Sequence, residues 1–196
     1  MQCEALYALE VKAGVKTPLL VHTDLALVDE HKNLLSPSFW DYRGFDIGQR
    51  KQAYLLNNTV TGCATIFNRS AANLAFPLPP EALQHDRWLA LVCAWFGQIE
   101  ALPHPTILYR QHGNNAIGAM VDIERADIAQ RIKGWSAQAT AFLRCYGERL
   151  SDEDHQLFLA VAALQHMRGW ERRRHILQYR LFKQGVMENL ALLLFS

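Results

Sequence analysis

The most constraining stretch of the sequence is an apolar run from Trp88 to Phe96, which follows a polar segment and stops at Gly97. Because the run is apolar on all sides, it has to be buried, either as a helix or as a strand. The polar start around Asp86 and the glycine stop favour a core helix. Residues 109–115 then bring Arg, His and Asn to the end of a predicted strand. In an α/β domain the ligand crevice opens where strands end, so this layout indicates a binding site.

Several other segments of the N-terminal part carry helix or strand patterns. Residues 2–13 place apolar side chains at helical spacing and predict a helix that ends before Gly14. A short helix is predicted from Ser70 to the turn at Pro77. A buried strand is predicted for residues 19–25, with a possible extension to 29. Further strands are predicted for residues 58–67 and for the short segments 99–102 and 106–109 that Pro103 and Pro105 separate.

Two segments of this part have features that suggest contact with a ligand. Residues 33–50 combine Ser, Pro, Asp and Gly with aromatic side chains and predict a long, partly packed loop. Gly62 lies inside the predicted strand 58–67, where a glycine indicates a bulge or a place where a ligand approaches the backbone. Both features fit a site built at one edge of the sheet.

From residue 122 onward the sequence is helical in character. A stripe of apolar residues predicts one long helix that ends at Gly147, and Ser151 followed by three acidic residues predicts the start of the next helix. The stripe consists of Ile128, Ile132, Trp135, Ala139, Phe142 and Tyr146. The predicted organisation is therefore an α/β portion over residues 1–120 and a helical extension over residues 121–196.

Composition and charge exclude several classes of protein. The net charge of +1 gives no support to nucleic-acid binding, because a dedicated binder carries a large basic excess. The four cysteines are scattered without a C-x-x-C pair, which argues against a zinc ribbon or a disulfide framework and fits a reducing cytoplasm. The start of the chain does not have the pattern of a signal peptide, and no apolar stretch reaches the roughly 20 residues that span a bilayer.

Asp86 is the strongest catalytic candidate in the sequence. A carboxylate at the first turn of an apolar helix is favoured by the helix dipole and is held in place. Such a group can act as a general base that takes a proton from an attacking alcohol. The structural alternative, in which Asp86 only caps the helix, is about twice as probable from spacing alone.

His112 and Arg110 are the next candidates, because they follow the predicted strand 106–109 and precede a turn. An imidazole at a strand end, beside a guanidinium, can hold a divalent metal ion or a phosphate. One histidine does not make a site, however, and Arg110 can equally be a surface or ion-pairing residue. The sequence contains no G-x-S-x-G, P-loop or G-x-G-x-x-G motif that would point to another chemistry.

The ordered set of these motifs resembles the C-terminal half of family-two, GT-A-type glycosyltransferases, especially the rhamnosyltransferase-like bacterial members that build cell-surface polysaccharide. The resemblance covers roughly residues 1–120. The matching segments are His85-Asp86-x-Trp88, Tyr109-Arg110-Gln111-His112-x-x-Asn115-x-x-Gly118, Leu20 to Leu25 with Val28-Asp29, Ser38-Phe39, and Asn58-x-Val60-x-Gly62-Cys63 with Phe67-Asn68-Arg69. Their occurrence in the same order is more specific than any one of them.

The resemblance implies a fold, a reaction and a set of site residues. The fold would be a partial GT-A, Rossmann-like α/β sheet that lacks its nucleotide-binding half and is followed by an α-helical region. Asp86 would be the base of an inverting transfer from a nucleotide-sugar to a saccharide or lipid-linked saccharide, and His112 would help to bind a divalent metal (Mg²⁺ or Mn²⁺) with the diphosphate. Substrate binding would fall to Gly62, His85, Trp88, Arg110 and Asn115, with Trp88 near the acceptor or behind the base.

The chain departs from the family in one respect, because no Asp-x-Asp metal motif stands upstream of the first helix. We therefore expect a truncated acceptor-side half that binds donor poorly by itself, with a companion chain as a possible source of the missing strands. The competing hypothesis is a degenerate, non-catalytic half that serves as a binding or assembly module. A metal-dependent hydrolase that uses Asp86 and His112 is a weaker third hypothesis, because it lacks ligands.

The basic C-terminal part allows a separate hypothesis about localisation. Basic residues are interleaved with apolar ones from Arg168 to Phe195, a pattern that can rest on the anionic inner face of the plasma membrane. The alternative, a solvated helix face with an apolar strip packed on the domain, is equally compatible with the sequence. We therefore expect a cytoplasmic protein with possible peripheral membrane contact.

Overall fold

A computed structural model describes residues 1–48, 50–111 and 125–194. The chain divides into two compact units. The first consists of Met1–Tyr54, Asn58–Pro77 and His85–Val121, and the second of Leu55–Asn57, Leu78–Gln84 and Asp122–Ser196. The first unit contains a mixed four-stranded sheet with helices, so the predicted α/β class is confirmed.

The sheet is built around one buried strand, β1 (Leu19–Val28), in which all ten residues are buried. Its near-continuous apolar sequence is typical of a strand covered on both faces. The long strand β4 (Gln98–Arg110) runs parallel to β1 and pairs along its whole length. Two short antiparallel strands, β2 (Leu34–Ser36) and β3 (Thr65–Phe67), therefore share the opposite edge of β1.

Four helices accompany this sheet. They are α1 (Gln2–Ala13), α2 (Phe39–Arg43), α3 (Arg69–Ala75) and α4 (His85–Phe96). The predictions of a helix at residues 2–13, a short helix before Pro77 and a buried helix before Gly97 are confirmed. In α4 the residues from Trp88 to Cys93 are all buried, which explains why that part of the helix has no polar face.

Two predictions for the loops and strands of the first unit are wrong. Residues 58–67 do not form one strand, because Gly62–Ala64 is a 3-10 turn and only Thr65–Phe67 pairs with β1. Residues 33–50 are not a plain loop, since they contain β2 and α2. Part of the cause of α2 is local, because the Ser38 hydroxyl accepts a hydrogen bond from the Asp41 N–H at 3.0 Å and caps the helix.

The prediction of two short strands around Pro103 and Pro105 is also wrong, because β4 is continuous. The register with β1 shifts between Thr23 and Leu25, so that Thr23 pairs with Leu102 and Asp24 with Pro105. The two residues between Leu102 and Pro105 have no partner in β1, which is the geometry of a bulge. Prolines are tolerated at such a bulge because no ladder N–H is required there.

The second unit is helical in its described part. Its main helices are α5 (Arg125–Tyr146), α6 (Asp152–Ala163), α7 (Gly169–Gln178) and α8 (Val186–Leu194). The predicted apolar stripe of α5 is buried throughout, and the Phe142 and Phe158 rings stack with centroids 4.3 Å apart. Ser151 caps α6 as predicted, because its hydroxyl accepts a hydrogen bond from the Asp154 N–H.

Within residues 1–48, 50–111 and 125–194, no helix combines enough length with enough apolar character to cross a membrane.

Candidate functional site

Asp86 lies in the first turn of α4, and its carboxylate is fixed by donors from the segment before β3. The Gly62 N–H donates to Oδ2 at 3.0 Å, and the Asn58 side-chain amide donates to Oδ1 at 3.2 Å. The Arg87 N–H also donates to Oδ1 at 2.6 Å. Because Asp86 is inside the helix and binds a distant segment, a simple helix cap does not describe it. The carboxylate remains only partly buried, so it can still meet a ligand.

Gly62 and His85 lie against each other beside this carboxylate. A Cβ atom added to Gly62 would stand 2.4 Å from His85 Nε2, closer than real Cβ contacts come. Gly62 therefore leaves room for the imidazole and presents its N–H to Asp86 at the same time. Of the residues predicted for the site, these three are brought together by the structure.

The 3-10 turn that contains Gly62 ends at Ala64, which belongs to a buried cluster that Tyr109 of β4 packs against. Burial raises the pKa of the Tyr109 hydroxyl, the nearby Cys63 thiol raises it further, and a hydrogen bond with Gln111 acts in the opposite direction. Cys63 is exposed and Tyr109 is half-buried. The end of β4 therefore lies beside the turn that holds Asp86.

The other predicted site residues lie elsewhere or outside the described part of the chain. Trp88 is 0% exposed, so its indole can support Asp86 from behind but cannot touch a ligand in this arrangement. Arg110 is exposed at the last position of β4. His112 and Asn115 lie outside the described residues, and their predicted roles stay predictions.

The divalent metal implied by the resemblance has no identified site in the described part of the chain. Within residues 1–48, 50–111 and 125–194, no group of three His, Cys, Asp or Glu side chains is arranged to hold a metal ion. A single carboxylate with amide donors around it, as at Asp86, suits a hydroxyl better than a cation.

Two residues near the carboxylate had no role in the sequence-based predictions. Asn58 is one of the two distant donors to Asp86, and Tyr109 lies beside the turn that follows it. Both stand inside the motifs that carry the glycosyltransferase resemblance, so the motifs themselves were the available signal. What the sequence could not show is that Asn58 faces Asp86, since 28 positions separate them.

A second polar cluster is buried in the sheet and has a structural function. The Asp24 carboxylate accepts a 2.5 Å hydrogen bond from the Ser38 hydroxyl and 3.1 Å bonds from the Phe39 and Trp40 N–H groups. The Leu25 N–H adds a further bond at 2.7 Å. These contacts tie the start of α2 to β1, and they occupy both carboxylate oxygens. Asp24 is therefore a fold-stabilising residue rather than a second base.

His22, two residues before Asp24, is fully buried and has unusual surroundings. Neither ring nitrogen has a hydrogen-bond partner among the described residues, and the ring lies 5.2 Å from the Trp40 ring. Burial lowers the pKa of His22 to about 4, although the Asp24 charge acts in the opposite direction. The imidazole is thus neutral at physiological pH.

Comparisons with known proteins add no family to this picture. No protein-family model matches the chain, and neither a curated protein nor a solved structure matches it.

Proposed function

We propose that this chain is the acceptor-side portion of a GT-A-type glycosyltransferase and that Asp86 is its catalytic base. The observation that carries the proposal is the fixed but partly exposed carboxylate at the start of α4, held by the Gly62 N–H and the Asn58 amide. A base has to be positioned in this way, because proton transfer demands a hydrogen bond to the attacking hydroxyl. The ordered sequence resemblance supports the sugar-transfer chemistry.

The reaction would be a single displacement at the anomeric carbon of the donor sugar. One Asp86 oxygen takes the proton of the acceptor hydroxyl while the hydroxyl oxygen forms a bond to the anomeric carbon. The bond from that carbon to the diphosphate oxygen breaks, and the nucleoside diphosphate leaves with the electron pair. The product is a glycoside of inverted configuration, and the proton remains on Asp86 until it passes to solvent.

The residues around Asp86 have defined tasks in this proposal. The Gly62 N–H and the Asn58 amide hold the carboxylate and keep it from rotating. His85 covers the Gly62 backbone and is exposed, so its imidazole can contribute a polar contact to a sugar hydroxyl. A sugar carries several hydroxyl groups, and hydrogen bonds from polar side chains such as His85 orient it in a site.

The test is acceptor-dependent release of nucleoside diphosphate by the purified chain. Nucleotide-sugars with uridine, thymidine or guanosine diphosphate are supplied at millimolar concentration with Mg²⁺ or Mn²⁺, because we expect weak donor binding. Saccharide and lipid-linked saccharide acceptors are tested in turn. With the correct pair, Asp86→Asn is expected to lower the rate by about 10²–10⁴-fold, the usual contribution of a general base.

Asn58→Ala is the matched control for this experiment. It removes the 3.2 Å hydrogen bond to Asp86 but leaves the carboxylate in place, so its rate should fall much less than that of Asp86→Asn. Equal rates for Asp86→Asn and the unaltered chain would overturn the assignment of the base. Absence of release with every donor and acceptor would favour the non-catalytic binding module instead.

A further inference from the structure

The outward face of α8 is apolar and open to solvent. Val186 is 76% exposed, Met187 73% and Leu194 65%, and Leu190 is also exposed. At 100° per residue these four side chains fall within an arc of about 100° on the helix surface. Leu192 lies on the opposite side and is 1% exposed. The helix is therefore anchored by one face and presents a continuous apolar stripe with the other.

The outward face of α7 combines an aromatic ring with positive charge. Trp170, Arg174 and Leu177 are spaced as one helical face, and all three are exposed. Trp170 is 75% exposed, while Ile176 on the other side of the helix is buried. A tryptophan with three quarters of its surface exposed is unusual in a folded domain, because its ring offers a large area for burial.

One hydrogen bond joins α7 to the C-terminal end of α8. The Arg173 guanidinium donates to the Leu194 carbonyl oxygen at 3.0 Å. Arg173 precedes Arg174 on α7, and Leu194 ends the apolar stripe of α8. Trp170, Arg174 and the α8 stripe therefore belong to one neighbourhood of the second unit.

The charge of this segment differs in sign from that of the rest of the chain. Residues 168–194 contain six basic and two acidic side chains, a balance of +4, whereas the whole chain has +1 and the remainder therefore −3. One of the two acids, Glu188, is paired with Lys183 at 2.9 Å. Arg168, Arg174 and Arg180 are exposed. The segment is thus complementary to an anionic surface.

We propose that the α7–α8 face docks on an anionic lipid bilayer. The apolar stripe of α8 would enter the boundary between headgroups and acyl chains, Trp170 would lie at headgroup level, and the arginines would meet the lipid phosphates. The stripe lies on a convex helix surface and forms no groove. A fluid bilayer accepts such a surface without a matching shape, whereas a protein partner would have to supply the groove.

The experiment is co-sedimentation of the full chain with vesicles, read together with tryptophan fluorescence. Vesicles of phosphatidylglycerol mixed with phosphatidylcholine are compared with vesicles of phosphatidylcholine alone. Binding to the anionic vesicles only, with a blue shift of the emission, is the expected result. Trp40, Trp88 and Trp135 are already buried, and the half-buried Trp95 belongs to α4 rather than to the proposed surface. The shift should therefore come mainly from Trp170 and disappear in Trp170→Phe.

Two double variants, each with a control of its own, separate the electrostatic contribution to lipid binding from the apolar one. Arg168→Gln with Arg174→Gln should weaken binding about 30-fold, since each basic residue near an anionic membrane contributes about 1 kcal/mol. Lys12→Gln with Lys133→Gln makes the same change in net charge at exposed positions elsewhere and should have a small effect.

The apolar stripe has its own matched pair. Met187→Gln with Leu190→Gln should weaken binding at least tenfold, because buried apolar area drives interfacial insertion. Tyr7→Gln with Val11→Gln alters exposed apolar side chains of α1, none of them less exposed than Leu190, and should leave binding unchanged.

Three outcomes would overturn the proposal. The first is failure of the unaltered chain to bind anionic vesicles, and the second is equal weakening by a test pair and its control pair. The third is a concentration-dependent dimer in sedimentation velocity that Met187→Gln with Leu190→Gln dissociates, since the stripe would then be covered by a second copy. None of these outcomes bears on the role of Asp86, so lipid binding and sugar transfer can fail separately.

Discussion

The Asp86 carboxylate and the Gly62 N–H form a 3.0 Å hydrogen bond across 24 positions of sequence. Through this bond the first turn of α4 and the 3-10 turn Gly62–Ala64 hold each other in place. The position of the candidate base therefore depends on a turn as well as on its own helix. A substitution on one side of this hydrogen bond is therefore expected to disturb the structure on the other side.

Asp86→Ala is expected to destabilise the fold by about 1–3 kcal/mol, because it leaves the Gly62 N–H and the Asn58 amide without an acceptor. Amide hydrogen exchange should become faster at Gly62 in particular. Asp46→Ala is the control, since Asp46 accepts a bond from the Gly48 N–H at 3.1 Å within one exposed turn. Unchanged protection of Gly62 in Asp86→Ala would contradict the proposed coupling.

Gly97→Ala should be far more disruptive than its small size suggests. A Cβ atom at this position would lie 1.7 Å from the carbonyl oxygen of Pro18, which is backbone and cannot swing aside. The same carbonyl accepts the Gln98 N–H at 3.0 Å, so moving it breaks the start of the β1–β4 pairing. We expect a loss of about 3 kcal/mol or more in the free energy of unfolding.

Gly48→Ala is the matched control for that substitution. Its Cβ would meet only Asp46 Oδ1 at 3.6 Å, an ordinary van der Waals contact. Urea unfolding of both variants checks the prediction through the midpoint and the slope of the transition. Similar midpoints for the two variants would show that the chain around Pro18 can relax.

The elements that were predicted correctly are those whose sequences carry a strong local pattern. The helix α4 has a polar start, an apolar run and Gly97, and β1 begins and ends with apolar residues and is buried through all ten positions. In both elements the local sequence preference and the burial in the fold favour the same secondary structure, so tertiary contacts did not change the predicted element.

The elements that were predicted wrongly depend on partners that are far away in sequence. The 58–67 segment has β-branched residues, but the Gly62 N–H is used by Asp86 and the chain turns there. The prolines of β4 argue for a break, and only the register shift opposite Thr23 and Asp24 shows how one strand accommodates them. Likewise, α2 exists because Ser38 caps it and the buried Asp24 binds its first turn.

The candidate site follows the same division. Asp86, His85 and Gly62 were recognisable from motifs, whereas the Asn58 contact required the fold. The burial of Trp88 could also be seen only in the fold, because a tryptophan in the first turn of a helix can point either into the core or toward a ligand. Sequence motifs thus named most of the residues, and only tertiary contacts gave their geometry.

His22 should make the stability of the chain fall in mild acid. Its pKa is about 4 in the folded state and about 6.5 in the unfolded state, so the unfolded chain takes up a proton first as the pH falls. Stability is fully retained above pH 6.5 and decreases toward pH 4, by about 3 kcal/mol in total from this one group. Urea unfolding across this pH window measures the slope.

Two substitutions of His22 separate its titration from its burial. His22→Leu and His22→Gln both lack a titrating ring, so both should flatten the slope between pH 6.5 and pH 4. At pH 7 the leucine variant should be the more stable of the two by about 1–2 kcal/mol, because the glutamine amide would be buried without partners. An unaltered slope in either variant would mean that another group controls the acid response.

Cys93 should be the one thiol that resists alkylation in the folded chain. It lies in the buried part of α4, and burial raises its pKa to about 12, so at pH 8 only about one thiol in 10⁴ is a thiolate. Cys3, Cys63 and Cys145 are exposed. Intact mass after iodoacetamide treatment should therefore show three adducts under native conditions and four in denaturant. Four adducts in the native state would show that α4 opens readily, and the fixed position of Asp86 at its first turn would then be in question.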